Sequence, residues 1–275
     1  MVHQADRAEL SGRVAIVTGS NQGIGAATAV ALAARGASVL VTYLRLDDAP
    51  DPGTPEGYRR NRAKDAAQVL AAIAGVGGVG HAVEADLSDP ATPARLFDVA
   101  ERELGPVDIL VNNATGWLAD TFKTSASDRF GRLLEPVTAR SFDRLFAVDA
   151  RGGALMIAEL ARRHQARGAD WGRVVSLTSG GVLGFPEEVT YGAAKAALTD
   201  YTLSAAAELG RIGITANVVH PPVTDTGWVT EQVRATLAAD ENPMRVAQPE
   251  EVAEVIAYLC EDRARLVNGN LLMLR

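Results

Sequence analysis

A short apolar run at residues 13–18 (RVAIVT) enters the turn Thr18-Gly19-Ser20-Asn21-Gln22-Gly23-Ile24-Gly25, which opens into an alanine-rich stretch ending near Arg35. The run is apolar and β-branched throughout, as suits a strand buried on both faces. The glycines allow a tight turn and close approach of the backbone to a ligand. The free N–H groups and dipole of the helix that follows favour an anion there. The spacing is TGxxxGxG rather than the general dinucleotide pattern GxGxxG, so a packing turn at a helix entry is the competing reading. The strand before and the helix after are the context that supports a pyrophosphate cradle.

The rest of the chain repeats that alternation. Strand-like runs fall at residues 38–43, 80–85, 107–111, 173–178, 214–219 and 270–274. Helical patterns fall at about 63–74, 90–104, 139–166, 191–210, 229–239 and 249–260. Alternating β and α implies a parallel sheet covered on both faces. The expected fold is α/β: a Rossmann-type, doubly wound, three-layer single domain over residues 12–275, after a loose tail at 1–11. Two long loops interrupt it, at 45–62 and 115–137, both after strands. The first is expected at the adenosine end of a bound dinucleotide. The second carries Trp117, Phe122, Phe130 and Leu133, and either borders a substrate pocket or packs on outer helices.

Composition removes several classes. Among 275 residues there is one cysteine, Cys260, so neither a disulfide framework nor a cysteine-rich metal site is expected. No apolar run approaches the roughly 18 residues of a membrane span, and the first residues are polar. A cytoplasmic protein without a membrane partner is expected. The net charge of −7 argues against nucleic acid as a partner. Lysine occurs only at Lys64, Lys123 and Lys195, the other basic side chains apart from histidine being arginine.

One of those lysines stands four residues after a tyrosine, in Tyr191-Gly192-Ala193-Ala194-Lys195. On a helix these two share a face. A cation there lowers the phenol pKa, and a phenol so tuned can exchange a proton near neutrality. An amphipathic surface pair is the plainer alternative. Twelve residues before Tyr191, at a strand end, the hydroxyls of Thr178 and Ser179 can each reach a substrate carbonyl. At the end of the second strand, where dinucleotide folds often place an acid for the ribose diol, stand Thr42 and Tyr43, with Arg45 close by. The absence of a carboxylate there favours NADP(H), with NAD(H) possible. Arg59, Arg60 and Arg62 follow, either near the phosphate or on a solvated surface.

Taken together, these motifs resemble the short-chain dehydrogenase/reductase family in its single-domain form, similar to 3-oxoacyl-ACP reductase-like members, from about Gly12 onward. The resemblance implies cofactor contacts from Gly19, Ser20, Asn21, Gln22, Gly23 and Ile24. At the adenosine end it implies Tyr43, Arg45, Asp86 and Leu87. Asn113 and Ala114 match the family's NNAG, and Pro221, Val223 and Thr226 fall in its NxVxPG region. Ser179, Tyr191 and Lys195 match its catalytic core. The implied reaction interconverts a ketone and a secondary alcohol. Tyr191 would be the general acid/base, Ser179 would hold the oxyanion, and Lys195 would tune Tyr191 and bind the nicotinamide ribose. Asp149 stands in Phe146-Ala147-Val148-Asp149, where the family usually has asparagine. It could hold a relay water, raise the Tyr191 pKa or weaken activity. A catalytically weak cofactor-binding sensor or accessory protein is therefore the alternative. The family is commonly a homotetramer or dimer, and no metal is implied. His220, just before Pro221, reads as structural rather than as a base.

Overall fold

The computed structural model describes residues 9–46, 54–128, 130–180, 184–239 and 245–275. The first unit is Val14–Val17 (β1), Gly23–Ala34 (α1) and Ser38–Tyr43 (β2). Glu56–Arg62 (α2), Ala67–Gly75 (α3), Val79–Glu84 (β3), Thr92–Glu103 (α4) and Ile109–Asn112 (β4) complete the first half. Two short strands follow, Asp120–Thr121 (β5) and Glu135–Pro136 (β6), then Ala139–Leu145 (α5) and Gly153–Ala166 (α6). The last part is Gly172–Leu177 (β7), Val189–Leu209 (α7), Ile214–His220 (β8), Glu231–Ala238 (α8), Pro249–Cys260 (α9) and Leu271–Met273 (β9).

Seven of these strands form one parallel sheet, in the order β3-β2-β1-β4-β7-β8-β9. β1, β4 and β7 are buried along their whole length, which is why β1 (VAIV) and the start of β4 (ILV) read as apolar runs, whereas β7 also buries Arg173 and Ser176. One core packs α1, α3 and α9 on one face, through Leu32, Ile73 and Ile256. The other packs α4, α6 and α7 on the opposite face, through Phe97, Leu160 and Ala205. This is the expected three-layer, doubly wound α/β fold. The strand order reverses between β1 and β4. In such sheets a crevice opens there at the carboxyl ends of the strands.

Local structure differs from expectation at the inserts. Within 45–62, residues 47–53 lie outside the described residues, but 56–62 form α2 rather than a loop. Pro55 precedes it, Glu56 sits in its first turn and arginines end it, each favourable to the helix dipole. The helix expected at 63–74 starts only at Ala67, whose N–H donates to the Asp65 carboxylate at 3.0 Å. Within 115–137, β5 and β6 pair in parallel, and Arg129 lies outside the described residues. The long helix expected over 139–166 contains a π-helical turn at Phe146–Gly152. That extra residue per turn accompanies the inward placement of Asp149, as π-turns often do at functional positions. Of the expected tail, residues 1–8 lie outside the described residues. Leu10 is buried and its N–H donates to Arg35 O at 2.9 Å.

Candidate active site

A cleft of about 1770 Å³ runs along the carboxyl edge of the sheet, from Gly19 to Tyr191. Its floor at one end is the glycine turn. Gly19 and Gly23 take positive φ angles of 62° and 56°, a region where L side chains are strained. A Cβ on Gly19 would stand 2.7 Å from Ala114 Cα. The turn is also tied across the switch point, because Asn113 Nδ2 donates to Thr18 O at 2.9 Å and to Gly19 O at 2.8 Å. Asn21, Gln22, Gly23, Ile24, Asn113 and Ala114 all line the cleft.

Ser20, expected among the contacts, is not one of the residues lining the cleft. It is fully buried, and its hydroxyl donates to Val17 O at 2.7 Å and accepts from Thr42 N at 3.2 Å. It ties the turn to β2. Gly25 is the tightest point. An added Cβ would fall on Gly19 O and lie 2.5 Å from Asn113 Nδ2. Gly25→Ala is expected to cost about 1–3 kcal/mol of stability and to weaken dinucleotide binding. A denaturant midpoint and a cofactor titration check both.

At the adenosine end, Tyr43, Asp86 and Leu87 line the cleft. Arg45 does not. It turns to Glu84, with Arg45 Nη2 at 2.7 Å from Glu84 Oε2. The hydrogen bond holds the Arg45 pKa above its usual range and the Glu84 carboxyl below its own. Glu84 pairs in register with Tyr43, so a carboxylate does stand at this edge, on the next strand.

At the other end, the first two turns of α7 present Tyr191 and Lys195. The Ser179 side chain lines the cleft beside Tyr191 and draws its phenol pKa down. The Thr178 hydroxyl is used elsewhere, donating to Lys195 O at 3.3 Å and accepting from Thr199 Oγ1 at 3.0 Å. Ser179 is therefore the strand-end hydroxyl beside the phenol. Lys195 is buried at 2% exposure, with Nζ 5.8 Å from the Tyr191 ring centroid and 3.1 Å from Asp149 Oδ1. Asp149 is buried as well, and its Oδ2 accepts from Gly116 N at 2.8 Å. It lies behind the cleft wall rather than in it, so it acts on the cleft through Lys195 and through its charge.

The ion pair changes the expected tuning. Burial pushes the Tyr191 phenol well above its ordinary pKa. Negative charge on Asp149 and Glu188 adds to this, as does Tyr58, while the Ser179 hydrogen bond pulls the other way. Lys195 spends its charge on Asp149, 3.1 Å away.

Both inserts reach this end. Trp117 Nε1 donates to Glu188 Oε2 at 2.9 Å, and Arg132 bridges Glu188 at 2.7 Å and Asp128 at 2.5 Å. The buried Asp120 carboxylate accepts from Thr190 N at 2.8 Å and from the Thr190 hydroxyl. From the first insert, α2 does not stay at the adenosine end as expected. Asn61 Nδ2 donates to Thr226 O at 3.3 Å, and the Tyr58 ring meets Trp117 edge-on at 6.0 Å. Pro221, Val223 and Thr226 line the cleft between them. His220 Nε2 is engaged by Gly180 O at 2.5 Å, consistent with a structural role. Tyr58, Arg132 and Glu188 were not among the residues expected from the sequence. No group of histidine, cysteine or acidic side chains among the described residues could hold a metal. Among those residues no helix is long and apolar enough to cross a membrane.

A family model described as enoyl-(acyl carrier protein) reductase matches residues 57–274. The chain is 32% identical to the uncharacterized oxidoreductase YjdA of Bacillus subtilis, over 94% of each chain. It superposes on a short-chain dehydrogenase/reductase variant from Serratia marcescens with a TM-score of 0.78, at 29% identity and 97% coverage of both chains. The chain belongs to the short-chain dehydrogenase/reductase family. An angucycline C-6 ketoreductase, LanV, solved with bound NADP, gives a TM-score of 0.77 at 30% identity, covering 97% of this chain and 95% of the other. As a member of this family the protein is an oxidoreductase acting on ketone/alcohol pairs.

Proposed function

We propose that this short-chain dehydrogenase/reductase interconverts a ketone and a secondary alcohol with NADP(H), and that Tyr191 is its general acid/base. The observation that carries the reading is that Ser179, Tyr191 and Lys195 line one end of a cleft whose other end is the glycine turn. The turn fits a dinucleotide, because Gly19 and Gly25 bring backbone so close that a Cβ would block it. Amides of the turn and the start of α1 would hold the pyrophosphate, Asp86 and Leu87 would flank the adenine, and Thr226 would close from the far side. The cofactor when bound supplies or accepts the hydride.

The protein's own residues handle the proton and the charge. Tyr191 donates from its hydroxyl to the carbonyl oxygen as the carbonyl is reduced. Ser179 fixes that oxygen and stabilises its developing charge. Lys195 orients the phenol and the ribose, and Asp149 positions Lys195. A phenol held well above its ordinary pKa stays protonated through neutral pH. The protein thus serves as an acid catalyst of reduction first, and alcohol oxidation needs alkaline solution. Preference for NADP(H) rests on Tyr43 in the usual acid position, and on solved relatives carrying NADP and NADPH. Arg45 is half exposed. Surface pairs of this kind are worth at most about 1 kcal/mol, so a 2′-phosphate can draw Arg45 away from Glu84.

Absorbance at the NADPH band, followed with a panel of ketones, tests the reading. Tight NADPH binding without reduction of any ketone would favour the sensor alternative. Alcohol oxidation is expected to rise with pH through the alkaline range. Asp149→Asn removes a negative charge facing the phenol and is expected to move that rise down by about 1 pH unit. A profile unmoved by the substitution would remove Asp149 from the tuning of Tyr191.

A further inference from the structure

The insert after β2 puts a second phenol into the catalytic end of the cleft. α2 reaches across from the glycine turn, where Asn21 Nδ2 donates to Lys64 O at 2.7 Å, to residue 226, where Asn61 holds Thr226 O. Its closeness to the far side is marked at Gly227, where an added Cβ would lie 2.8 Å from Asn61 Nδ2 and 3.3 Å from Gly57 C. This crossing directs Tyr58 into the cleft beside Trp117, with ring centroids 6.0 Å apart and planes at 89°.

Trp117 is a fixed platform. Its indole N–H is tied to Glu188, and the Arg132 guanidinium stands 5.3 Å from its ring centroid. Across the phenol of Tyr191 lies another ring, Phe185, with centroids 5.9 Å apart and planes at 42°. The cleft that holds Tyr191 is thus lined by three further aromatic rings, Tyr58, Trp117 and Phe185. Two rings at right angles form a corner into which a third planar ring fits by offset stacking on one and edge contact with the other. A flexible aliphatic chain gains only area from the same walls. The cleft volume of about 1770 Å³ exceeds the roughly 300–1,000 Å³ of a pocket for one drug-sized molecule. It has room for a ring system beside a dinucleotide. The Tyr58 hydroxyl, kept protonated by burial, is a donor for a polar substituent on that ring.

We infer that Tyr58 and Trp117 form the specificity-determining wall of the substrate pocket, and that this wall selects ketones carried on an aromatic ring system. The inference rests on Tyr191 being the proton donor. It makes α2, an insert expected at the other end of the cofactor, part of substrate recognition.

The test compares α-tetralone, an aryl ring ketone, with cyclohexanone, using NADPH and the full chain. The wild type is expected to favour α-tetralone by kcat/KM. Tyr58→Leu keeps apolar volume but loses the ring, and is expected to lower kcat/KM on α-tetralone about tenfold, through KM. Its effect on cyclohexanone is expected to stay within about threefold. Tyr58→Phe keeps the ring and should retain the preference. An unchanged NADPH affinity in each variant shows that fold and cofactor site are intact. If the wild type reduces neither ketone, the proposed reaction fails, and the wall is judged by binding alone. Then 2-naphthol is titrated into the NADPH-loaded protein while tryptophan fluorescence is read. Binding is expected in the wild type and in Tyr58→Phe, and is weakened about tenfold in Tyr58→Leu. A wild-type preference for cyclohexanone, equal losses on the two ketones, or naphthol binding absent or unaffected by Tyr58→Leu would overturn the inference.

Discussion

Tyr191→Phe is expected to lower kcat by about two to four orders of magnitude while leaving NADPH affinity nearly unchanged. The substitution keeps the ring, which packs against Phe185, and removes only the hydroxyl. Positioned proton transfer contributes roughly 10²–10⁴ to a rate, and among the described residues of the cleft no other group is placed to replace it. His220 is committed to Gly180 O. Tyr58 is a phenol, but it belongs to the wall beside Trp117. Steady-state kinetics with a reducible ketone and a cofactor titration by fluorescence give the two quantities. A variant that turns over at the wild-type rate would remove Tyr191 from its proposed role.

Lys195→Met carries the second large effect, on stability as well as rate. The lysine and Asp149 are both buried, 3.1 Å apart. Breaking one side of a buried pair leaves the other charge without its partner and typically costs about 3–5 kcal/mol. Asp149 keeps one hydrogen bond, from Gly116 N, which a neutral side chain could also accept. Adding Asp149→Asn to Lys195→Met removes the stranded charge and keeps that acceptor. The double variant is therefore expected to recover about 1–3 kcal/mol relative to Lys195→Met alone. Equilibrium unfolding of the two single variants and the double completes the cycle. Strict additivity would mean that the two groups do not interact in the folded protein.

Much of the fold was legible because the sheet interior leaves little choice. A strand covered on both faces is mostly apolar along its length, and β1 and β4 show that directly in their residues. The glycine turn was legible for a related reason, since its close approaches admit no side chain. What misled was the first insert. Three prolines and two glycines within residues 45–62 suggested a plain loop. The local signal for α2, a proline followed by an acid and then by arginines, lay inside that stretch. Its position over Trp117 depends on contacts from Asn61 and Tyr58 to residues far along the chain. No periodicity encodes such contacts. The Arg45–Glu84 pair was hidden in the same way, because only strand register brings Glu84 next to Tyr43. The departure at Asp149 was visible, but its partner was not. Tyr191 and Lys195 share a helix face, and only packing shows that Asp149 neutralises the lysine.

The helix that carries Tyr191 has an unusual beginning. Glu188, in the position that would cap it, makes no capping hydrogen bond. The first N–H groups of a helix need acceptors, and here the Thr190 amide finds one in Asp120, seventy residues earlier. The insert at 115–137 is in this sense a remote cap. A local cap is worth about 1 kcal/mol and travels with its own helix. A borrowed one makes the first turn of α7 depend on the folding of a distant segment. If that segment loosens, the turn frays from its end, and Tyr191 lies one residue inside the fraying point.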